Sequence, residues 1–205
     1  MKTTGMISAL ALSLALGMVT TAEAEDWTGA HLTFGVAAAA THLNSGNGES
    51  EVSNSDVSDQ SVFMAVGYDW AMSGLTVGLV ADIDATSGSE DLLSEGKGQL
   101  TESDWFATLR GRVGMPVDDR MQVYASGGLA LMGVSSQTLG ALPAADKARL
   151  RGGVVGLGLE RQLAPGRNIS VEYLHADFGQ TLLQDSGVLL EPVVDQLRIG
   201  YRIRF

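Results

Sequence analysis

The chain has 205 residues, 18% of them charged, with a formal net charge of −11. A surface of that sign repels phosphates, which excludes nucleic acid as a partner. Cysteine is absent, so disulfides are excluded, and 26 glycines stand against only 4 prolines.

The first element is "MKTTGMISALALSLALGMVTTAEA". Lys2, an uncharged apolar run from Met6 to Val19 and the small-residue site Ala22-Glu23-Ala24 have the layout of a secretory signal peptide. The run is too short for a membrane-spanning helix, which needs about 20 residues. Two regions are expected: a signal peptide over 1–24 and one domain over 25–205.

From Glu25 onward the chain reads in twos. Residues 30–42 put Leu32, Phe34, Val36, Ala38 and Ala40 on one parity, and residues 61–70 do the same with Val62, Met64, Val66, Tyr68 and Trp70. A third segment carries Leu75, Val77, Leu79, Ala81 and Ile83. A fourth sets Trp105, Ala107, Leu109 and Val113 against Thr108, Arg110 and Arg112. The fifth (121–134) sets Met121, Val123, Ala125, Leu129 and Leu131 against Gln122, Tyr124 and Ser126. The sixth has Val155, Leu157 and Leu159, the seventh Ile169, Val171 and Tyr173, and the last Leu197, Ile199, Tyr201, Ile203 and Phe205. Such alternation predicts strands with one apolar face. All four prolines (Pro116, Pro143, Pro165, Pro192) fall between these segments, as ladder hydrogen bonding demands.

The connections alternate too. Residues 43–60, 86–103, 135–148 and 179–192 read as long polar loops; 71–74, 115–120 and 162–167 are short links. Eight strands of about 10 to 13 residues, with one ornate rim and one plain rim, predict an all-β fold: an eight-stranded antiparallel up-and-down transmembrane β-barrel. Three features favour lipid outside. The polar parity mixes glycines with long charged side chains, suiting a cramped interior. Trp27, Tyr68, Trp70, Trp105, Tyr201 and Phe205 fall near strand ends, as interfacial girdles do. The apolar parity carries almost no charge.

The polar parity therefore points inward. It brings Asp69, Asp82, Asp84, Glu160 and Glu172 toward Arg110, Arg112, Arg198, Arg202 and Arg204, predicting an ion-pair network that fills the lumen. No Lys or Arg stands between Lys2 and Lys97, against thirteen acids from Glu23 to Glu95, so the arginines come from the later strands. The last strand is expected to close against the first.

"WFATLRGRVG" (105–114), "YASGGLA" (124–130), "EYLHADFG" (172–179) and the final "GYRIRF" resemble the small OmpA-like, opacity-type outer-membrane barrels, the porin family of outer-membrane proteins. The resemblance implies a Gram-negative outer-membrane barrel with both mature termini periplasmic, variable surface loops and no catalytic residues. It also implies that Leu197, Ile199, Tyr201, Ile203 and Phe205 serve as a C-terminal signal to the barrel assembly machinery. Unlike OmpA, the sequence has nothing after its eighth strand, so cell-wall anchoring is not carried over.

A lipid A-modifying barrel enzyme is the catalytic alternative. It would need a hydroxyl, a His and a carboxylate converging near one rim. His42 and His175 have the right level, with Asp177, Ser45 and Ser61 as candidate neighbours, but "HAD" at 175–177 offers no hydroxyl. The expectation is a structural, surface-interacting barrel in contact with outer-membrane lipid and lipopolysaccharide, without cofactor or metal. A narrow solute channel is the alternative, and no ligand for the loops is named.

Overall fold

In a computed structural model of the chain, the structure describes residues 27–47, 50–86, 100–137, 146–179, 181–182 and 189–205. The signal-peptide segment 1–24 lies outside them. The described chain is all strand apart from short turns: β1 (Gly29–Asn47), β2 (Ser50–Met72), β3 (Leu75–Thr86), β4 (Leu100–Asp118), β5 (Met121–Gln137), β6 (Asp146–Ala164), β7 (Arg167–Asp177), a two-residue β8 (Thr181–Leu182) and β9 (Leu189–Arg204).

Eight long antiparallel strands pair in chain order, and β1 also pairs with β9, so the sheet closes on itself. The short β8 merely edges the far end of β9. The register gives the stagger. Starting at Arg151 and stepping through Leu131, Ala107, Ile83, Met64, Phe34, Tyr201 and Ile169, the pairing returns to β6 at Arg161, ten residues along. That shear tilts the strands and narrows the interior until side chains fill it.

Turn chemistry fixes the plain rim. Met72 pairs with Leu75 across a two-residue loop, and both Ser73 and Gly74 take positive φ (52° and 84°). This is the turn geometry that matches the twist of a tight hairpin. The ornate rim departs from the expected one. Residues 43–47 and 50–60, expected in a loop, are strand: β1 and β2 remain paired up to Asn47 opposite Ser50. Six of the eight long strands run 16 to 23 residues, beyond the anticipated 10 to 13, while β3 and β7 at 12 and 11 fall within it. Backbone ladders do not require apolar side chains, so polarity ended the apolar pattern without ending the strand.

The outward wall is apolar. Val36, Met64, Leu79, Leu109, Leu157 and Ile199 are each about half exposed or more, whereas their inward neighbours are buried or half-buried. Burial alternates strictly along β7. Exposed apolar side chains on every strand of a closed barrel need lipid, not water, as their solvent.

Candidate functional site

The lumen is filled by three stacked layers. Nearest the short turns, Glu160 on β6 is fully buried. Its Oε2 accepts from Arg112 Nη2 (2.5 Å), Arg202 Nη1 (2.7 Å) and Gln122 Nε2 (3.3 Å), while Oε1 accepts from Asn168 Nδ2 (2.6 Å). Arg204 reaches the same Oε1 at 3.5 Å. Asp69 joins by charge: Arg202, Arg204 and Arg112 lie 3.5, 3.6 and 4.0 Å from its Oδ2. The guanidinium of Arg112 stacks 3.8 Å from the Tyr124 ring centre. Trp27, expected in an outer girdle, instead lies buried at this end with Arg204 over its ring at 5.5 Å. An indole at a barrel mouth can plug as well as anchor, and the arginine cluster supplies the cation that holds it.

The middle layer is built around Asp82. Arg110 Nη2 donates to its Oδ2 (2.9 Å) and Arg198 Nη1 to its Oδ1 (2.8 Å), and Thr108 Oγ1 donates to Oδ2 at 2.5 Å. Arg110 also bonds Glu172 at 2.6 Å and Ser126 at 2.9 Å. Arg198 bonds Asp84 and Gln196 and lies 4.9 Å from the Phe63 ring centre. Five carboxylates thus meet five guanidiniums in the described lumen, so their formal charges balance. A cavity of about 20 Å³ separates the two charged layers, lined by Thr33, Phe63, Arg110, Tyr124 and Arg202 among others. That is room for about one water and for no solute.

The third layer, toward the loops, was not anticipated. Phe106, Met132, Leu150, Leu174, Phe178 and Val194 form a buried apolar cluster inside the barrel, with Phe106 and Phe178 edge to face at 6.3 Å. The signal was present: "WF" at 105–106 and "LM" at 131–132 are apolar on both parities at the loop-side ends, as strands buried on two faces read.

The histidines divide. His31 is buried 3.6 Å from Asp69 in the lumen. His42 and His175 point outward and meet at Asp195: His175 Nδ1 lies 2.8 Å from Oδ1 and His42 Nε2 lies 3.8 Å from Oδ2. Tyr173 donates to the same carboxylate at 2.5 Å. The neighbours first considered are elsewhere. Ser61 is buried on the inward face, Asp177 accepts from the Gly179 amide at 2.8 Å, and the Ser45 side chain lies outside the described set. No serine or threonine hydroxyl joins the cluster among the described residues. The C-terminal positions share the outward parity: Leu197 and Ile199 are about half exposed, Tyr201 packs 5.7 Å from Phe34, and Phe205 is 80% exposed while its amide donates to Ala30 O at 2.9 Å.

A closed barrel with an apolar outer wall and a charged, filled interior defines an outer-membrane β-barrel protein. The chain belongs to the outer membrane protein beta-barrel domain family, whose model matches residues 8–205. It is 31% identical over 154 residues to the 31 kDa outer-membrane immunogenic proteins of Brucella melitensis and Brucella suis, matching 68% of this chain and 63% of each of them. The match thus spans less than two thirds of those relatives' length. In fold it is similar to the attachment invasion locus protein Ail of Yersinia pestis, with a TM-score of 0.50, 11% identity, and coverage of 86% of this chain and 99% of that one. These findings place the protein in the outer membrane of a Gram-negative bacterium.

Proposed function

We propose that the protein is a plugged barrel with a structural and surface-interaction role, neither a solute pore nor an enzyme. The filled lumen carries this reading: among the described residues two ion-pair layers and an apolar layer occupy the interior, and the cavity between the charged layers holds about 20 Å³. The outward His42–Asp195–His175 group gathers an acid and bases with no serine or threonine hydroxyl among the described residues, and its one hydroxyl, that of Tyr173, donates to the Asp195 carboxylate rather than to a histidine, which argues against lipid hydrolysis. The Brucella relatives' description as immunogenic supports loops that face the environment. In this reading both mature termini lie at the periplasmic rim, the outer wall meets membrane lipid and lipopolysaccharide, and the C-terminal strand from Leu197 to Phe205 is the handle for the assembly machinery.

The test is purified protein in planar bilayers. No steady conductance of porin size is expected, and such conductance in the wild type would make this protein a channel. Orientation has its own check. Proteases added to intact cells should cut only near 48–49, 87–99, 138–145 or 183–188, and cleavage at 115–120 would invert the barrel.

A further inference from the structure

Ten of the thirteen basic residues are arginines, and their placement is uneven. Five are consumed in the lumen. On the outer wall of β6, Arg149 and Arg151 are exposed at the loop-side end and Arg161 at the turn-side end, with Val155, Leu157 and Leu159 between. Ten residues separate Arg151 from Arg161; at about 3.3 Å per residue and a tilt of about 40°, that is roughly 25 Å along the barrel axis. This equals the height of an outer-membrane barrel's apolar band, about 25 Å. Arg149 and Arg151 therefore stand at the loop-side edge of the lipid-facing wall, on a chain whose net charge of −11 otherwise repels anions.

Their surroundings form a cradle. Gly133 on β5 pairs in register with Arg149 on one side and with Trp105 on β4 on the other. A Cβ at Gly133 would meet the Trp105 indole Nε1 at 2.4 Å, so the ring lies over the glycine and fills the space a side chain would take. On the opposite flank β6 outruns its neighbour, since the β6–β7 ladder stops at Gly153 opposite Asp177. The Asp177 carboxylate accepts from the Gly179 amide, and among the described residues no carboxylate lies within ion-pairing distance of either arginine. Two guanidinium forks and an indole thus face sideways into the membrane, open to whatever lies in that leaflet.

We propose that Arg149 and Arg151, with Trp105 beside them, bind the phosphate of a phosphorylated glycolipid in the loop-side leaflet. Planar guanidinium forks match phosphate oxygens bidentately, and an indole at the interface offers its face to the sugar. A soluble protein or peptide would have to approach from within the bilayer, whereas a lipid headgroup arrives there by lateral diffusion. The site rests on the outer-membrane reading above, but binding in detergent does not depend on which way the barrel faces, so orientation and site fail separately.

The experiment titrates detergent-solubilised, full-length folded barrel with bis-phosphorylated lipid A, with dephosphorylated lipid A, with phosphatidylglycerol and with inorganic phosphate. Retention of bound lipid is read by native mass spectrometry. At about 1 kcal/mol per arginine near an anionic surface, the Arg149→Ala, Arg151→Ala double variant should lose roughly thirtyfold in lipid A affinity. The corresponding lysine double variant should keep part of it. All of these positions face outward and are exposed, and unheated gel mobility verifies folding in each variant. An unchanged affinity in the alanine variant overturns the site. So does an equal loss in Arg161→Ala, Arg167→Ala, which would show diffuse charge attraction, or equal binding of the dephosphorylated lipid. Binding of phosphatidylglycerol as tightly as lipid A overturns the glycolipid assignment, and capture of inorganic phosphate alone overturns the lipid.

Discussion

Replacing Glu160 by alanine is expected to cost the barrel about 3–5 kcal/mol, the usual penalty for leaving buried charges without their partner. The estimate follows from the position of this side chain. Glu160 holds Arg112 and Arg202 directly, with Asn168 and Gln122 on its remaining lone pairs. Its removal leaves three guanidiniums, those of Arg112, Arg202 and Arg204, facing the single carboxylate of Asp69 at 3.5 Å or more. Glu160→Gln keeps the shape and loses the charge, so it should fall between the two. Glu172 is less deeply buried, at 9% exposure against 0% for Glu160, and Glu172→Gln should cost less than either. The measurement is the urea midpoint for loss of the folded, fast-migrating gel form, in wild type and variants at matched lipid. Buried pairs are weakly screened, so the wild-type midpoint should move little between low and high salt. A Glu160→Ala shift worth less than about 1 kcal/mol, which is the size of an exposed pair, would make the network incidental to stability.

Much of this architecture is legible in the sequence alone, and each departure from it has its own physical reason. The period of two is a local property, imposed on each strand by its own lipid-facing side, so strand count and parity were legible. Strand length was not, because β1 and β2 stay paired through a stretch whose sequence is polar at both parities. The charged residues of the lumen were legible as a set, but of the neighbour-strand pairs only Arg110 with Asp82 forms. Neighbouring strands suggested Asp82 and Asp84 beside Arg110 and Arg112. Instead Arg198, 114 positions from Asp84, reaches across the barrel to both aspartates, and Arg112 turns to Glu160 on β6. In a barrel this narrow, facing walls are as close as adjacent strands, and the ten-residue stagger decides which residues face each other. Sequence separation carries no trace of that. Trp27 misled for the opposite reason: its girdle-like place at a strand end is equally the mouth of the lumen. Asp195, lying outward beside His175, was missed because a single acid on the apolar parity looks like a lapse in the pattern. Only the register shows that β1 and β7, on either side of β9, bring His42, Tyr173 and His175 to it.

Gly35→Val is expected to prevent most of the chain from closing into a barrel. Gly35 lies on β1 at the seam, paired with Gly200 on β9 and with Phe63 on β2. A Cβ at this position would stand 2.0 Å from the Ile199 carbonyl oxygen, 2.7 Å from Phe63 Cε1 and 2.8 Å from the Gly200 Cα. Two of these are backbone atoms, which no change of rotamer can move. The third belongs to a ring that cannot withdraw freely, because Arg198 stacks on it while bridging Asp82 and Asp84. The two glycines thus make a groove in the wall, Phe63 lies in it, and the middle charged layer is laid against Phe63. Overpacking in a core that can relax costs about 1–3 kcal/mol; here relaxation would require β1 and β9 to part, which opens the seam between the first and last strands that closes the sheet. Gly153→Val is the control, since nothing lies within 4 Å of a Cβ there and the residue faces outward, where valine suits both strand and lipid. Unheated and boiled samples of each variant are compared on a denaturing gel after refolding. Gly153→Val should yield as much fast-migrating barrel as wild type, and Gly35→Val only a small fraction of it. Equal yields for the two substitutions would mean that β1 and β9 can separate at Gly35 without losing closure, and that the seam is not held by this contact.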